Sequence, residues 1–513
     1  MDPLTITVDS SKPREQLSLE KLSSKNLTAF LSPETLETVK QVLKGDSTDP
    51  AAPLSPTKLR WMWKTLLIEA IHFLRINDCR ERAFLRDRDQ PWSQANKTHM
   101  GDEGAADAAR LNAYGIEALS KYFERFNDFE STLYGVDRHY RDHIEHPVHV
   151  WLLGMHVLDR YGSEFSFRSS AAVKVMDSEA ADPAWDCFVQ QKKRCKVEDC
   201  EDCSENSGCQ NLLISTAELG AMWTIVALTH DLGYPLEKVE RINDKLEEML
   251  NEFGNIAFAR STFQFTSQHD HLVQALLKII GSTAEYVGKG RWQTRLRSKY
   301  HSKFARSWED FDHGIVSSLI LLRALTFFLE TDITQDTRKP LDGEDARQFV
   351  VRSEILHAIA AHTAPKVYHL RANTLPFLLV LCDDLQEWGR PTMADIKAGD
   401  LTGSAKQVTL KIVIEGEKSE IECKIVHNED WDLDAQKRHA RHVFKVWHER
   451  LRPALDDCDR KMKLVWKISF GPDTKPWMLT IDSQQRVFEI VKAKAPSKDG
   501  LHQDPFDLYE DAR

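Results

Sequence analysis

Apolar positions recur every three to four residues through most of the chain from 59 to 391, a period that predicts helices. LRWMWKTLLIEAIHFL (59–74) and ARLNAYGIEALSKYFERF (109–126) carry this spacing with no strand-like alternation. Similar stretches follow around 147–160, 211–231, 236–252, 269–281, 313–330, 346–362 and 374–388, so residues 56–391 read as one all-helical unit. Residues 1–55 are polar and contain SPETLETVK, which reads as a short helix inside a loosely ordered arm. After EWGRPTMADIKAGD the period changes to two. QVTLKIVIEG (407–416) and SEIECKIVHN (419–428) alternate around a short Gly-containing turn, as a β-hairpin does. A helix at 433–455 and strands at 463–470, 477–482 and 487–493 complete a small α+β domain of order ββαβββ over 405–495, before a polar tail at 496–513. The expected fold class is mainly α, a helical domain followed by this α+β accessory unit.

Composition narrows the picture. A chain of 513 residues, 42% hydrophobic and 29% charged, has material for two or three globular units. Its net charge of -11 argues against a generic basic nucleic-acid binder. The N-terminal stretch has no apolar signal core, and no run approaches the roughly 18 apolar residues of a membrane span. A cytoplasmic protein without membrane contact is expected, and a homo-oligomer is compatible with the accessory domain. The longest basic run, GKGRWQTRLRSKYHSK (288–303), reads as a solvated face in preference to a polyanion site. His439, His442 and His448 lie on the Lys/Arg-rich C-terminal helix and are expected to face solvent.

Five of the nine cysteines crowd into 187–209. Cys195, Cys200, Cys203 and Cys209 supply four thiolates suited to a structural zinc, with Cys187 left over. The irregular spacing favours the alternative, a hydrophilic surface insertion whose thiols stay reduced.

Acidic and imidazole groups interrupt the most apolar helices. ALTHDLGYP (227–235) closes an apolar helix with His230 and Asp231, where Gly233 and Pro235 should end it and leave the pair at the rim of a core. His146 precedes Pro147 at the start of another apolar run. His313 leads Val316, Ser317 and Ile320 along one helical face, and His362 shares a face with Ile355, Ala358 and Ile359. Asp383 and Asp384 interrupt LPFLLVLCDDLQEW. One buried histidine is ordinarily a hydrogen-bonded core residue. Five such segments, without a Lys or Arg inside the apolar runs to offset the carboxylates, point instead to divalent metal: Mn, Fe, Co, Mg or Zn.

The order His146, His230-Asp231, His313, His362, Asp383 resembles the H…HD…H…H…D signature of the HD superfamily of metal-dependent phosphohydrolases, and ALTHDLGYP is very like its central motif. The resemblance spans roughly residues 110–391 and selects Asp383 over Asp384. It implies an all-helical site with two ions. One is held by His146, His230, Asp231 and Asp383; His313 and His362 hold the second, and Asp231 bridges. The implied activity is hydrolysis of a phosphoester or phosphoanhydride in a small phosphorylated, nucleotide-like substrate by a metal-activated hydroxide, with His230 and Asp231 at its centre. The spacing is longer than in compact members, and His269 and His271 are competing ligands for the place of His313. His143 and His149 flank His146 and read as residues behind the ligands or on the surface in preference to lining the cavity. Lys238, Arg241 and Arg390 are candidates for binding a substrate phosphate. A nucleotide-binding sensor and a di-iron oxygenase would use the same ligand types.

Overall fold

A computed structural model describes residues 3–45, 54–76, 115–136, 143–165, 167, 173–176, 212–252, 254, 267–288, 290–364, 373–390, 405–415, 418–427, 432–456, 461–471, 474–482 and 487–492. The Cys-rich stretch, with Cys187, Cys195, Cys200, Cys203 and Cys209, lies outside the described residues. The described chain is mostly helical, with a small mixed sheet built largely from its C-terminal part. In chain order the elements that matter here are β1 (Leu4–Asp9), α1 (Pro13–Gln16), α2 (Pro33–Lys44), α3 (Pro56–Ile76), α4 (Ile116–Val136), α5 (His146–Tyr161), β2 (Val173–Met176) and β3 (Leu212–Ser215). There follow α6 (Thr216–Thr229), α7 (Tyr234–Glu237), α8 (Val239–Asn251), α9 (Ser267–Gly281), β4 (Ser282–Gly288), β5 (Arg291–Leu296), α10 (Ser298–Glu309), α11 (His313–Ala324), α12 (Gly343–Ala361) and α13 (Leu375–Leu385). The C-terminal part holds β6 (Ala405–Glu415), β7 (Lys418–His427), α14 (Leu433–Asp456), β8 (Lys461–Phe470), β9 (Trp477–Asp482) and β10 (Val487–Lys492).

Helix α6 is the axis of the helical part. A capping box of Ser215 and Glu218 starts it, and every one of its residues is buried, so it packs on all sides against α3, α5 and α12. The packing is pinned by side-chain hydrogen bonds inside an apolar core. The Trp63 indole donates to the Leu228 carbonyl (2.7 Å), Trp151 donates to Thr224 Oγ1 (2.9 Å), and Trp223 donates to the Trp151 carbonyl (2.9 Å). A Cβ on Gly154 would collide with the Trp223 ring, so only glycine lets α5 lie this close to α6.

Two findings correct the all-helical expectation for 56–391. β2 and β3 form a short parallel ladder, and β4 and β5 an antiparallel hairpin. The first part of the basic run is therefore a strand: Arg291, Gln293 and Arg295 are exposed while Trp292 and Thr294 are buried. Strand alternation was hidden there because two of the three exposed positions, Arg291 and Arg295, belong to a run of cations that dominates the composition of the segment.

The C-terminal order ββαβββ appears as expected, in a six-stranded sheet of order β1-β6-β7-β8-β9-β10. β7 and β8 run parallel across α14, and the other neighbours are antiparallel. The edge strand β1 comes from the segment read as a loose arm; it pairs with β6 from Leu4↔Ile412 to Asp9↔Gln407. His439 also departs from expectation. It is half-buried, with Nε2 3.2 Å from Nε2 of the buried His427, whereas His442 is exposed and the His448 side chain lies outside the described residues.

Candidate metal centre

Five helix ends meet at one place. His146 is the first residue of α5, His230 and Asp231 follow the last turn of α6, His313 opens α11, His362 follows α12, and Asp383 lies in the last turn of α13. The helix shafts bury apolar side chains, and their ends deliver the polar groups to a common rim. Pro235 does not end α6 but sits in the first turn of α7, and Gly233 lies so close to the start of α11 that a Cβ would strike the His313 carbonyl.

Asp231 is 6% exposed and its two oxygens face different partners. Oδ2 lies 3.3 Å from His230 Nε2 and 3.7 Å from His146 Nε2, while Oδ1 lies 3.3 Å from His313 Nε2 and 3.8 Å from His362 Nε2. Asp383 Oδ1 completes the first group at 3.0 Å from His146 Nε2 and 3.7 Å from His230 Nε2. Two sets, His146-His230-Asp383 and His230-Asp231-His362, each bring their ligand atoms within 4.8 Å of one another. Neither His269 nor His271 joins them; His271 is exposed on α9.

The outer nitrogens explain why the inner ones suit a cation. Nδ1 of His230 meets the Ala227 carbonyl (2.8 Å) and Nδ1 of His362 the Ile359 carbonyl (2.6 Å); a carbonyl only accepts, so both nitrogens carry the proton. Nδ1 of His313 meets the Glu237 carboxylate at 2.5 Å. Nδ1 of His146 meets Oε1 of Gln386, whose amide is oriented by donation to the Trp388 carbonyl at 2.5 Å. In the neutral ring each Nε2 then points a lone pair at carboxylate oxygens, which are also acceptors. Acceptors facing acceptors need a proton or a metal between them. Metal–ligand bonds of about 2.0–2.2 Å put neighbouring donors roughly 3–3.5 Å apart, close to the 3.0–3.8 Å between the facing nitrogens and oxygens, so the residues fit divalent ions.

The titration of these groups carries the same signature. Burial would raise Asp231 and Asp383, but the facing imidazoles hold both well below the usual carboxylate range. Burial would lower His230 and His313, yet the neighbouring carboxylates outweigh it and raise them to about 10 and about 9. His362 and His146 are lowered, mainly by burial, His362 to about 4. The same nitrogens and carboxylate oxygens would take up either protons or a metal ion, so the two compete.

Of the phosphate candidates, Lys238 is already engaged, 2.6 Å from Glu237 and over the Tyr234 ring at 4.4 Å. The side chain of Arg241 lies outside the described residues. Arg390 is half-buried, and after burial its charge is a further cause lowering His143, His146 and His149. His143 stacks on Tyr234 (4.0 Å between centroids), and His149 lies near Trp388 (5.9 Å), so both line the centre and are buried. Sequence reading missed Glu237 and Gln386. Gln386 stands one turn after Asp383, a spacing that hinted at its role, whereas nothing local marks Glu237. Among the described residues no helix is long and apolar enough to cross a membrane. No protein-family model, curated protein or solved structure matches the chain.

Proposed function

We propose that the chain is a metal-dependent phosphohydrolase acting on a phosphoester or phosphoanhydride bond of a nucleotide-like substrate. The observation that carries this reading is the division of Asp231, with one oxygen toward His146 and His230 and the other toward His313 and His362. His146, His230, Asp231 and Asp383 would hold one ion; Asp231, His313 and His362 would hold a second. Bound divalent ions supply Lewis acidity at phosphoryl oxygens and make water more acidic.

The remaining work falls to the chain itself. The carbonyls of Ala227 and Ile359, the Gln386 amide and the Glu237 carboxylate fix the four rings, so no reorientation is needed during reaction. Glu237 also accepts from the His313 amide at 3.3 Å, tying ring and backbone to one carboxylate. Arg390 supplies positive charge for a substrate phosphate beside His143, His146 and His149. The apolar shafts of α5, α6, α12 and α13 wall the site and keep its dielectric low, which strengthens every charge in it.

The test is phosphate release from a panel of nucleotides with Mn, Fe, Co, Mg or Zn supplied in turn. Turnover that chelator and Asp231→Asn both abolish is expected. A chain that binds metal and nucleotide but leaves every nucleotide intact would overturn the enzyme reading in favour of a sensor.

A further inference from the structure

The helix that opens with His146 is gripped at both ends by chain segments that contribute no ligand. We infer that Arg14 is a positioning residue for the His146 side of the metal centre, brought there by strand β1, so that docking of the C-terminal sheet sets the geometry of the ligands. This rests on the metal-centre reading above.

Arg14 follows β1 by a single tight turn, and the Ser10 amide extends the β1–β6 pairing to the Lys406 carbonyl (2.9 Å). Arg14 is 6% exposed, and its Nη1 lies 3.5 Å from Oε1 of Glu145. Glu145 stands at the N-cap of α5, where its carbonyl accepts from the amides of Val148 (3.0 Å) and His149 (3.2 Å). The Glu145 carboxylate is also 3.8 Å from His149 Nε2. His149 Nδ1 in turn meets Gln386 Nε2 at 3.5 Å, and Gln386 holds His146 through its other amide atom. A contiguous polar path therefore runs from Arg14 through Glu145, His149 and Gln386 to the ligand ring.

The far end of α5 is anchored to the same sheet and the same N-terminal segment. Tyr161 donates to the Ile412 carbonyl of β6 (3.0 Å), and Asp159 accepts from the Ser23 amide (2.9 Å), Ser23 Oγ (2.9 Å) and the Ser24 amide (2.6 Å). With the helix anchored there, the Arg14–Glu145 ion pair fixes the position of its first turn, which carries His146. Replacing the guanidinium by a neutral group leaves Glu145 facing His149 without that cation, a costly arrangement at low exposure that the first turn can relieve by turning.

The experiment titrates Co2+ into the full chain by competition with a chelating dye and records the visible absorption of the bound ion. Arg14→Gln is expected to weaken Co2+ binding about 2- to 30-fold, the usual size of coupling carried along a chain of packed polar contacts, and to shift the absorption bands. Arg14→Lys should recover part of the loss. Glu145→Gln should match the Arg14→Gln loss, and the double variant should add little to either. Arg352→Gln, which removes a buried guanidinium that donates to the Glu330 carbonyl (2.7 Å) and lies 3.7 Å from the exposed Glu330 carboxylate, controls for general destabilisation and should leave Co2+ affinity unchanged. If Arg14→Gln binds as wild type does, or if Arg352→Gln loses as much, the inference falls while the metal centre stands. Should wild type itself fail to bind Co2+, the metal-centre reading falls first. Should Arg14→Gln not fold, Arg14→Lys and Glu145→Gln decide the matter in the same way.

Discussion

Gly314→Ala tests the second half of the centre without replacing a ligand. Gly314 follows His313 at the start of α11, where it faces the end of α12. A Cβ there would sit 2.5 Å from the Ile359 carbonyl oxygen, 2.6 Å from Thr363 Oγ1 and 2.9 Å from His362 Nδ1. Restoring van der Waals separation requires the two helix ends to part by roughly 1 Å. Overpacking of this kind costs about 1–3 kcal/mol, which a chain of this size survives. The ligands are less tolerant, because metal–ligand distances hold to within about 0.2 Å. The added methyl also presses on the oxygen that orients His362, so the perturbation reaches both His313 and His362. The expected result is a folded protein with a modestly lower denaturation midpoint that loses one ion per chain and most of its turnover. Metal content by mass spectrometry, read beside the midpoint, is the assay. Unchanged metal content and activity would refute the reasoning, and equal loss of both ions would refute the partition of Asp231 between two half-sites.

Four other outcomes are expected. Asp231→Asn should remove both ions and Asp383→Asn the one beside His146, whereas Asp384→Asn should leave metal content unchanged; loss of metal in the Asp384 variant would reverse that assignment. Glu237→Gln should weaken the ion at His313 about 10-fold while leaving the other, since its carboxylate holds Nδ1 of that ring; equal metal content in both proteins would contradict this. Trp63→Phe keeps the ring stack on Phe123 (4.0 Å) but strands the Leu228 carbonyl, so a loss of about 1–3 kcal/mol in denaturant unfolding is expected, and no loss would refute it. Chelator-treated protein should be most stable near neutral pH. Burial depresses His143, His146, His149 (to about 3) and His362 (to about 4), so below about pH 6.5 the unfolded chain binds protons that the folded one does not, and stability falls on acidification. His230 and His313 are raised to about 10 and 9, so their contribution is complete below about pH 6.5 and lost as pH rises through those values. A denaturation midpoint that stays flat from about pH 5 to 10 would contradict both arms.

Periodicity by itself determined the helical part, because burial of one face or of a whole helix is written in consecutive residues. It located the unlike polar residues at helix ends, His146, His230, Asp231, His313, His362 and the adjacent Asp383 and Asp384, since a carboxylate or imidazole beside an apolar run is anomalous wherever the chain goes next. It also placed the C-terminal strands and their helix. What it did not decide depends on partners far away in sequence. The alternating LTITVD at 4–9 becomes a strand only because residues 407–412 pair with it, some 400 positions on. Trp292 and Thr294 reveal a hairpin only once the hairpin's buried side exists. Choosing Asp383 over its neighbour, orienting His313 through Glu237, and carrying Arg14 to the cap of another helix all follow from how helix ends converge. The sequence states which residues cannot rest alone in a core; only tertiary packing decides which of them meet, because hydrogen bonds and charges act over a few ångströms of space regardless of their separation along the chain.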